Sequence, residues 1–251
     1  MWRRIFYLIG FWLLLLSLSP VSANNLPDQD SDGVPDQDEV NIYSTDPNNR
    51  DTDQDGYSDR DELLAGFSPH NPKPVSLIDN DQDDDGLSDF WELRFRTNLI
   101  VADTDGDGVN DGQEIEAATN PREAGKVKLP MRLDIVLSRQ ELTYWLDGVK
   151  FKQFPVSTGK PRTPTPQGHF TVVNKYPKAW SKPFGLWMPY WLGLDHGQFG
   201  IHELPIWPNG YREGADHLGK PVSHGCIRLG IGPAKYLYDR VDVGTEVNIY
   251  K

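Results

Sequence analysis

The residues best able to do covalent chemistry lie in one short stretch, from Ser223 to Leu229, near the end of the chain. Its Cys226 is the single cysteine among 251 residues, so no disulfide can form within the chain. His224 and Arg228 flank this cysteine and His202 precedes it, and cationic or imidazole neighbours favour the nucleophilic thiolate. A lone cysteine is most often a small buried hydrophobe, but these neighbours favour chemistry. We therefore predict that Cys226 is a nucleophile.

Zinc binding is an alternative use of the same side chains. His202, His224 and Cys226 could supply three ligands. The His-x-Cys spacing is a poor match to structural zinc sites, however, and a fourth ligand is not evident. A zinc site is therefore the weaker interpretation.

A second set of reactive side chains forms an acidic twelve-residue pattern that occurs four times. Carboxylates at positions 1, 3, 5, 9 and 12, with glycine at position 6, suit a hard cation that takes six to eight oxygen ligands. The pattern predicts calcium, because magnesium demands octahedral geometry and keeps its waters. An acidic disordered spacer is the alternative from composition, but it would not need fixed spacing. The predicted ligands are Asp28, Asp30, Asp32, Asp36 and Glu39; Asp51, Asp53, Asp55, Asp59 and Glu62; Asp81, Asp83, Asp85, Asp89 and Glu92; and Asp103, Asp105, Asp107, Asp111 and Glu114.

The segments that precede these loops, such as 46–49 and 68–72, are rich in proline and asparagine. Such residues prevent the entering helix of an EF-hand, so only a short helix can follow each loop. The arrangement resembles the thrombospondin type-3 repeat over about residues 26–122. The resemblance implies a module whose interior is largely metal, with calcium in a structural role.

The charge distribution divides the chain into two regions. Residues 24–125 carry 27 Asp and Glu against 6 Lys and Arg, whereas residues 126–251 carry 10 against 17. Residues 1–23 have the positive start, the apolar run and the small-residue end of a secretory signal. An uncleaved anchor is the alternative, but the apolar run is shorter than the roughly 20 residues that span a bilayer. We predict a signal peptide at 1–23, a calcium module at 24–125 and a catalytic domain at 126–251, exported to the periplasm or cell envelope and not attached to the membrane after cleavage.

Alternating apolar residues in the basic region predict β-strands at 131–137, 141–146, 149–157, 169–175 and 246–250. One helix is predicted from Gly232-Pro233 to Arg240, with proline at an early position where it is tolerated. Many short strands and few helices predict a mainly β domain, a sandwich or barrel-like fold with one or two helices. Before it, the calcium-loaded module should consist of loops and short helices.

Aromatic residues are frequent between 176 and 207, where they stand among proline and glycine without periodic spacing. They predict a lid or cleft wall over the nucleophile, but for most of these residues taken singly ordinary core packing is the better interpretation. The residues are Tyr176, Trp180, Phe184, Trp187, Tyr190, Trp191, Phe199 and Trp207.

The region from about residue 130 to the end resembles the YkuD-type L,D-transpeptidase catalytic domain. The resemblance rests on segments in the family's order, of which the last is the most specific: 154–160, 163–170, 200–202 and 223–229. It implies a cysteine acyl transferase of peptidoglycan stem peptides, in which Cys226 attacks at the L-centre of the diamino acid and releases the terminal D-alanine. A primary amine, from a second stem peptide or an envelope protein, then takes the acyl group. The resemblance implies no catalytic cofactor and no nucleic-acid partner.

Further roles follow from placing this resemblance on the sequence. His202 is the expected general base, because the two-residue offset of His224 from Cys226 makes a productive contact harder in an extended segment. The backbone N–H groups of Gly225 and Cys226 are candidates for an oxyanion hole. Arg228 could bind a substrate carboxylate or form an internal ion pair. The predicted catalytic set is Cys226, His202, His224, Gly225, Ser223 and Arg228.

Two further functions remain as alternatives. An L,D-carboxypeptidase of the same fold would pass the acyl group to water instead of to an amine. A non-catalytic, calcium-dependent envelope scaffold would use only the acidic region. In the favoured interpretation calcium sets the placement of the enzyme in the envelope, and the basic region folds without it.

Overall fold

The computed structural model describes residues 26–251, so the predicted signal peptide at 1–23 lies outside the described residues. Packing divides the described chain into two compact units, 26–75 and 76–251. Within the described range, none of the helices has the length and apolar character needed to span a membrane.

The unit at 26–75 contains the first two acidic loops and the short helices that follow them. The first loop leads into α1, Asp36–Asp38, and then into a π-helical turn at Glu39–Tyr43. The second loop leads into α2, Asp59–Ala65, where the Ser58 side chain accepts a hydrogen bond from the Asp61 backbone N–H and so caps the helix. The prediction of short helices after the loops is confirmed here.

The unit at 76–251 contains the third and fourth loops together with the whole β-sheet. Helices α3, Asp89–Phe95, and α4, Asp111–Ala117, follow the two loops. Apolar side chains of both helices belong to the same core as the strands. The predicted boundary at residue 125 follows charge, whereas the division by packing falls at Val75 and Ser76.

Nine strands and one further helix make up the rest of this unit. The strands predicted at 131–137, 141–146, 149–157 and 246–250 are present, and the Asp147-Gly148 turn has positive φ at both residues, as a tight hairpin requires. The strand predicted at 169–175 is divided between two strands. The bounds are β1 Met131–Val136, β2 Glu141–Leu146, β3 Val149–Ser157, β4 Gly168–Thr171, β5 Asn174–Ser181, β6 Leu186–Leu194, β7 Phe199–Glu203, β8 Ile227–Leu229, α5 Pro233–Arg240 and β9 Glu246–Tyr250.

The strand order shows that the sheet curls on itself. The order is β4-β9-β1-β2-β3-β8-β7-β6-β5, with parallel pairs at β1–β9 and β7–β8. The edge strands β4 and β5 are joined by Val172 and Val173 alone, which reach roughly 11 Å, whereas nine flat strands would span roughly 38 Å. The two edges must therefore meet, which confirms the predicted mainly β, barrel-like fold.

The aromatic stretch at 176–207 differs from the prediction. Most of it forms the antiparallel hairpin β5–β6, in which Trp180 pairs with Trp187 and Tyr176 with Trp191. The sequence shows no alternation of apolar and polar residues here, because this hairpin exposes aromatic side chains such as Tyr176 and Trp180 while it buries Trp191. Only part of the stretch borders the nucleophile, and Phe184 and Trp207 are the members that do so.

Candidate active site and acidic loops

Two parallel strands bring the predicted nucleophile and base together. In the β7–β8 register Ile201 lies opposite Ile227 and His202 opposite Arg228. Because side chains alternate along a strand, Cys226, two residues before Arg228, projects to the same face as His202. This pairing joins residues that are 24 positions apart in the sequence.

The two side chains open into one small cavity of about 100 Å³. Apolar residues from the β5–β6 hairpin and polar residues from the segments around β8 form its wall. Its lining residues are Phe184, Leu186, Met188, His202, Trp207, Glu213, Ser223, His224, Cys226 and Arg228.

His202 is buried and held as a neutral imidazole. Its Nδ1 lies 2.6 Å from the backbone oxygen of Glu203, and because a carbonyl oxygen only accepts, Nδ1 carries the proton. The ring also stacks on Trp191, with centroids 6.0 Å apart. Burial lowers the pKa of His202 to about 4, although the Glu203 hydrogen bond acts in the opposite direction. The Nε2 atom is therefore the nitrogen able to accept a proton at neutral pH.

Cys226 is half-buried and favours the protonated thiol. Burial raises the thiol pKa above its usual value, while a backbone hydrogen bond from Gly200 and the charge of Arg228 act in the opposite direction. Residue 200 is a glycine that packs closely against β6, where a Cβ would lie 2.3 Å from the Leu192 backbone oxygen. The thiolate expected from the sequence thus requires a proton acceptor in the site.

Ser223 shapes the turn that presents the cysteine. This buried hydroxyl donates to the Cys226 carbonyl oxygen at 2.6 Å and accepts from the Gly225 N–H at 3.1 Å. Gly225 has φ of 121°, a conformation that side-chain-bearing residues rarely adopt. One of the two predicted oxyanion donors, the Gly225 N–H, is therefore engaged within the turn.

His224 points to the outer wall of the cavity. Its Nε2 lies 3.0 Å from the Lys160 Nζ, which donates, and its ring stacks on Phe184 at 4.4 Å. Partial burial, together with the charges of Lys160 and Arg228, lowers its pKa. Metal-sized clusters of ligand atoms among residues 26–251 comprise four aspartate groups and do not include the His202, His224 and Cys226 set considered for zinc.

Arg228 forms the internal ion pair that sequence reasoning left as an alternative. Its buried guanidinium donates to Glu213, which also accepts from His217 at 3.1 Å. The Arg228 Nε atom is buried without a protein partner among the described residues. Sequence reasoning missed Glu213, because an isolated glutamate 15 residues upstream carries no motif.

A second ion pair anchors the same connecting segment, residues 204–222. Arg212 from this segment pairs with the buried carboxylate of Glu203 at the end of β7. Glu213 and Arg212 are adjacent, so the segment is attached to both strands of the site. It therefore covers one side of the cavity in a defined position.

The four acidic loops repeat one geometry. In each, ligand atoms of the aspartates at positions 1, 3 and 5 lie within 4.8 Å of one another. The position-3 aspartate and the position-12 glutamate each keep one buried oxygen without a partner in every loop. The unpartnered oxygens are Asp30 Oδ2 and Glu39 Oε2, Asp53 Oδ2 and Glu62 Oε2, Asp83 Oδ2 and Glu92 Oε2, and Asp105 Oδ2 and Glu114 Oε2.

These unpartnered oxygens fit a bound cation. Burial among neighbouring carboxylates raises the pKa of Glu92 to about 9 and that of Glu62 to about 8 when no cation balances the charge. Unpaired buried carboxylates are costly, and calcium takes oxygen ligands of this kind. The donor set therefore fits a calcium site in each loop.

Position 9 is used differently from the other predicted ligand positions. Asp59 accepts from the Thr52 N–H at 2.8 Å and from the Thr52 hydroxyl at 2.7 Å, and Asp111 accepts from the same two groups of Thr104. Asp36 and Asp89 also accept from backbone N–H groups of their loops. These carboxylates close the loop onto its helix, whereas the aspartates at positions 1, 3 and 5 bring their ligand atoms together.

Sequence comparisons with known proteins match two parts of this chain. Residues 130–249 match the family model of the YkuD L,D-transpeptidase catalytic domain, and residues 28–50, 51–66 and 103–121 match the bacterial TSP3 repeat. Proteins described as L,D-transpeptidase YkuD from Bacillus licheniformis and Bacillus subtilis are both 33% identical over 121 residues. The match covers 48% of this chain and 66% of each relative.

Solved structures are also similar to part of this chain. An L,D-transpeptidase from Mycobacterium smegmatis is 26% identical with a TM-score of 0.43, covering 50% of this chain and 61% of its own. One from Mycobacterium tuberculosis is 27% identical with a TM-score of 0.42, covering 50% and 60%. On the family matches, the region at 130–249 belongs to the YkuD L,D-transpeptidase catalytic domains and the acidic region before it carries bacterial TSP3 repeats.

Proposed function

We propose that this protein is an exported L,D-transpeptidase that acts on peptidoglycan stem peptides through a cysteine thioester. The observation that carries the proposal is the pairing of Cys226 with a neutral, tautomer-defined His202 in one cavity. A protonated thiol needs a proton acceptor, and a buried imidazole whose Nε2 is unprotonated suits that role.

In the first half-reaction the Cys226 Sγ attacks the carbonyl carbon at the L-centre of the diamino acid, and the thiol proton passes to His202 Nε2. The tetrahedral intermediate collapses when the amide C–N bond breaks and His202 returns the proton to the departing amine of D-alanine. In the second, a primary amine attacks the thioester and loses its proton to His202; the C–S bond then breaks as His202 returns this proton to the Cys226 sulfur. Atoms and charges balance without a cofactor.

The oxyanion of the tetrahedral intermediate needs a hydrogen-bond donor. Since the Gly225 N–H already donates to Ser223 Oγ, the Cys226 N–H is the remaining candidate from the sequence prediction. One such donor typically contributes about 3 kcal/mol to transition-state stabilisation.

Arg228 supports this chemistry from the same face. Its charge favours the Cys226 thiolate, and Arg228 also lines the cavity that would receive the stem peptide. Glu213 balances the buried charge when no substrate is present.

We further propose that each acidic loop binds calcium and that the protein acts in the periplasm or cell envelope. The repeated unpartnered oxygens at positions 3 and 12 support calcium, and the signal-like sequence at 1–23 supports export. The acceptor amine, from a second stem peptide or an envelope protein, is part of the proposal.

Incubation with a defined tetrapeptide muropeptide, with and without an acceptor amine, followed by mass spectrometry tests the activity. A cross-linked or amine-capped product that needs Cys226 supports the transpeptidase. Release of D-alanine with water as the sole acceptor would identify the carboxypeptidase, and an unchanged muropeptide would favour the scaffold.

A further inference from the structure

The helices of the third and fourth loops share a hydrophobic core with the catalytic sheet. On α3, Phe95 is 1% exposed and its ring meets Phe151 of β3 edge to face, with centroids 5.4 Å apart. Trp91, one turn earlier, meets the same ring at 5.2 Å. On α4, Ile115 is also 1% exposed and belongs to the same core. Such aromatic and aliphatic burial is the main stabilising term in a domain of this size.

Polar contacts attach α4 to the sheet at a second place. The Glu116 carboxylate pairs with Lys152 of β3 at 2.8 Å and with Arg240 of α5 at 3.1 Å. The Arg240 Nε also donates to the Glu116 backbone oxygen at 2.6 Å. Helix α5 packs against β6 and against β7, the strand that carries His202. Contacts therefore run without a break from the fourth loop to the strand of the proposed base.

The third and fourth loops are also joined to each other. Asp85, at position 5 of the third loop, accepts from the backbone N–H of Gly112 at the start of α4, at 2.7 Å. The two segments are so close that a Cβ on Gly112 would lie 2.6 Å from the backbone oxygen of Asp85. A change in one loop is therefore transmitted to the helix of the other.

The predicted metal ligands lie on the same helices as these core contacts. Glu92 is fully buried on α3 between Trp91 and Phe95, and Glu114 is 3% exposed on α4 beside Ile115. Each glutamate keeps a buried oxygen that has no protein partner. A cation that binds this oxygen would fix the helix that supplies Phe95 or Ile115 to the core.

We propose that calcium in the third and fourth loops is a folding cofactor of the catalytic unit, whereas the first and second loops serve a separate unit. The proposal rests on the proposed calcium loading of the loops. It replaces the expectation that the basic region folds independently of calcium.

Two matched double variants test the proposal in the chain that begins at residue 24. Glu92→Gln with Glu114→Gln removes a ligand charge from each loop in the unit at 76–251, and Glu39→Gln with Glu62→Gln makes the same change in the unit at 26–75. Thermal unfolding is followed by tryptophan fluorescence, because all tryptophans between residues 26 and 251 lie in the larger unit. Calcium binding is measured in parallel by calorimetry.

In calcium at 100 times the dissociation constant, the Glu92 and Glu114 variant should unfold roughly 10–20 °C below wild type, since the linkage of two lost sites corresponds to a shift of that size. The Glu39 and Glu62 variant should keep the wild-type tryptophan transition. In EGTA the unfolding temperature of the wild type should fall by the same amount. The Glu92 and Glu114 variant should then be no less stable than wild type, which separates lost calcium linkage from a general folding defect.

Glu116→Gln is a further variant, because it removes contacts to Lys152 and Arg240 without removing a predicted ligand. It should reduce the difference in unfolding temperature between calcium and EGTA. Calcium binding that leaves the tryptophan transition of the wild type unmoved would overturn this inference while leaving calcium loading intact. Equal effects of the two double variants would also overturn it, and absence of calcium binding would overturn both proposals.

Discussion

His202 and Cys226 make different contacts, and these contacts suit the histidine to act as a base and the cysteine as a nucleophile. The imidazole is oriented by the Glu203 carbonyl and the Trp191 ring, whereas the thiol lies at the end of a turn with its proton retained. His224 lies on the other side of the cysteine with a ring nitrogen occupied by Lys160. The proposed mechanism therefore depends on one histidine.

Cys226→Ala should abolish both the muropeptide product and the covalent adduct with a carbapenem, which the family resemblance suggests as a reagent. His202→Ala should slow acylation by about two to four orders of magnitude, the usual scale for a general base. His224→Ala is the matched control and should have the smaller effect. Adduct formation followed by mass spectrometry measures all three, and a deeper defect in His224→Ala would reverse the assignment.

The buried imidazole also predicts the pH dependence of acylation. Since burial lowers the pKa of His202 to about 4, the base is protonated and inactive only below that value. The rate of carbapenem acylation at limiting reagent should therefore hold as pH falls through 6.5 and decline near 4. A decline centred on 6.5 would indicate that an exposed histidine is the base.

The same shift has a consequence for stability. The folded-state pKa lies below the value of about 6.5 for an unfolded chain, so the unfolded chain binds more protons between these values. The contribution of neutral His202 to the free energy of unfolding is therefore present above about 6.5 and is lost as pH falls toward 4. Denaturant titrations at several pH values across this interval should show that the free energy of unfolding depends more steeply on pH in wild type than in His202→Gln.

At the scale of elements, the segment at 204–222 is positioned by ion pairs with the strands of the site. Glu213 is the centre of this arrangement, because it balances Arg228 and contacts His217. Its partner Arg228 has a side chain that is 9% exposed, so loss of the carboxylate leaves a buried charge unpaired.

Glu213→Gln should lower the free energy of unfolding by about 3–5 kcal/mol, the usual cost of removing one partner of a buried pair. Asp239→Asn makes the same chemical change at the exposed Lys235 pair and should have no measurable effect. Urea titration compares the two variants. If both are neutral, the segment is held by its backbone contacts instead.

At the scale of the whole molecule, the acidic region is divided between two compact units although its four loops have one sequence pattern. The unit at 26–75 has few buried apolar side chains, and among its described residues these are Val34 and Pro69. Its order should therefore depend on metal more than on burial.

Chelator should open the unit at 26–75 in the full chain, because crowded carboxylates repel one another without a counter-ion. Trypsin should cut at Arg50 and Arg60 at least about tenfold faster in EGTA than in calcium, since cleavage follows the population of the open form. Magnesium at equal concentration should protect poorly, as its preferred geometry differs. Mass spectrometry of early fragments measures the cleavage rates. Identical rates in calcium, magnesium and EGTA would contradict the prediction.

Local patterns were sufficient to predict much of this protein. The short helices after the acidic loops, the strands at 131–137, 141–146, 149–157 and 246–250, and α5 were all visible in the chain, because each depends on residues close in sequence. The family matches confirm the L,D-transpeptidase and TSP3 assignments.

Contacts between distant segments were decided only by the tertiary structure. The parallel pairing of β7 with β8, the Arg228 ion pair with Glu213 and the β5–β6 aromatic hairpin all depend on closure of the sheet. The shared core of α3, α4 and β3 likewise joins segments that differ in charge and pattern, so composition placed the boundary at residue 125 while packing places it at 75. Sequence periodicity reports which face of an element is apolar, but the partner that covers this face is determined by the fold.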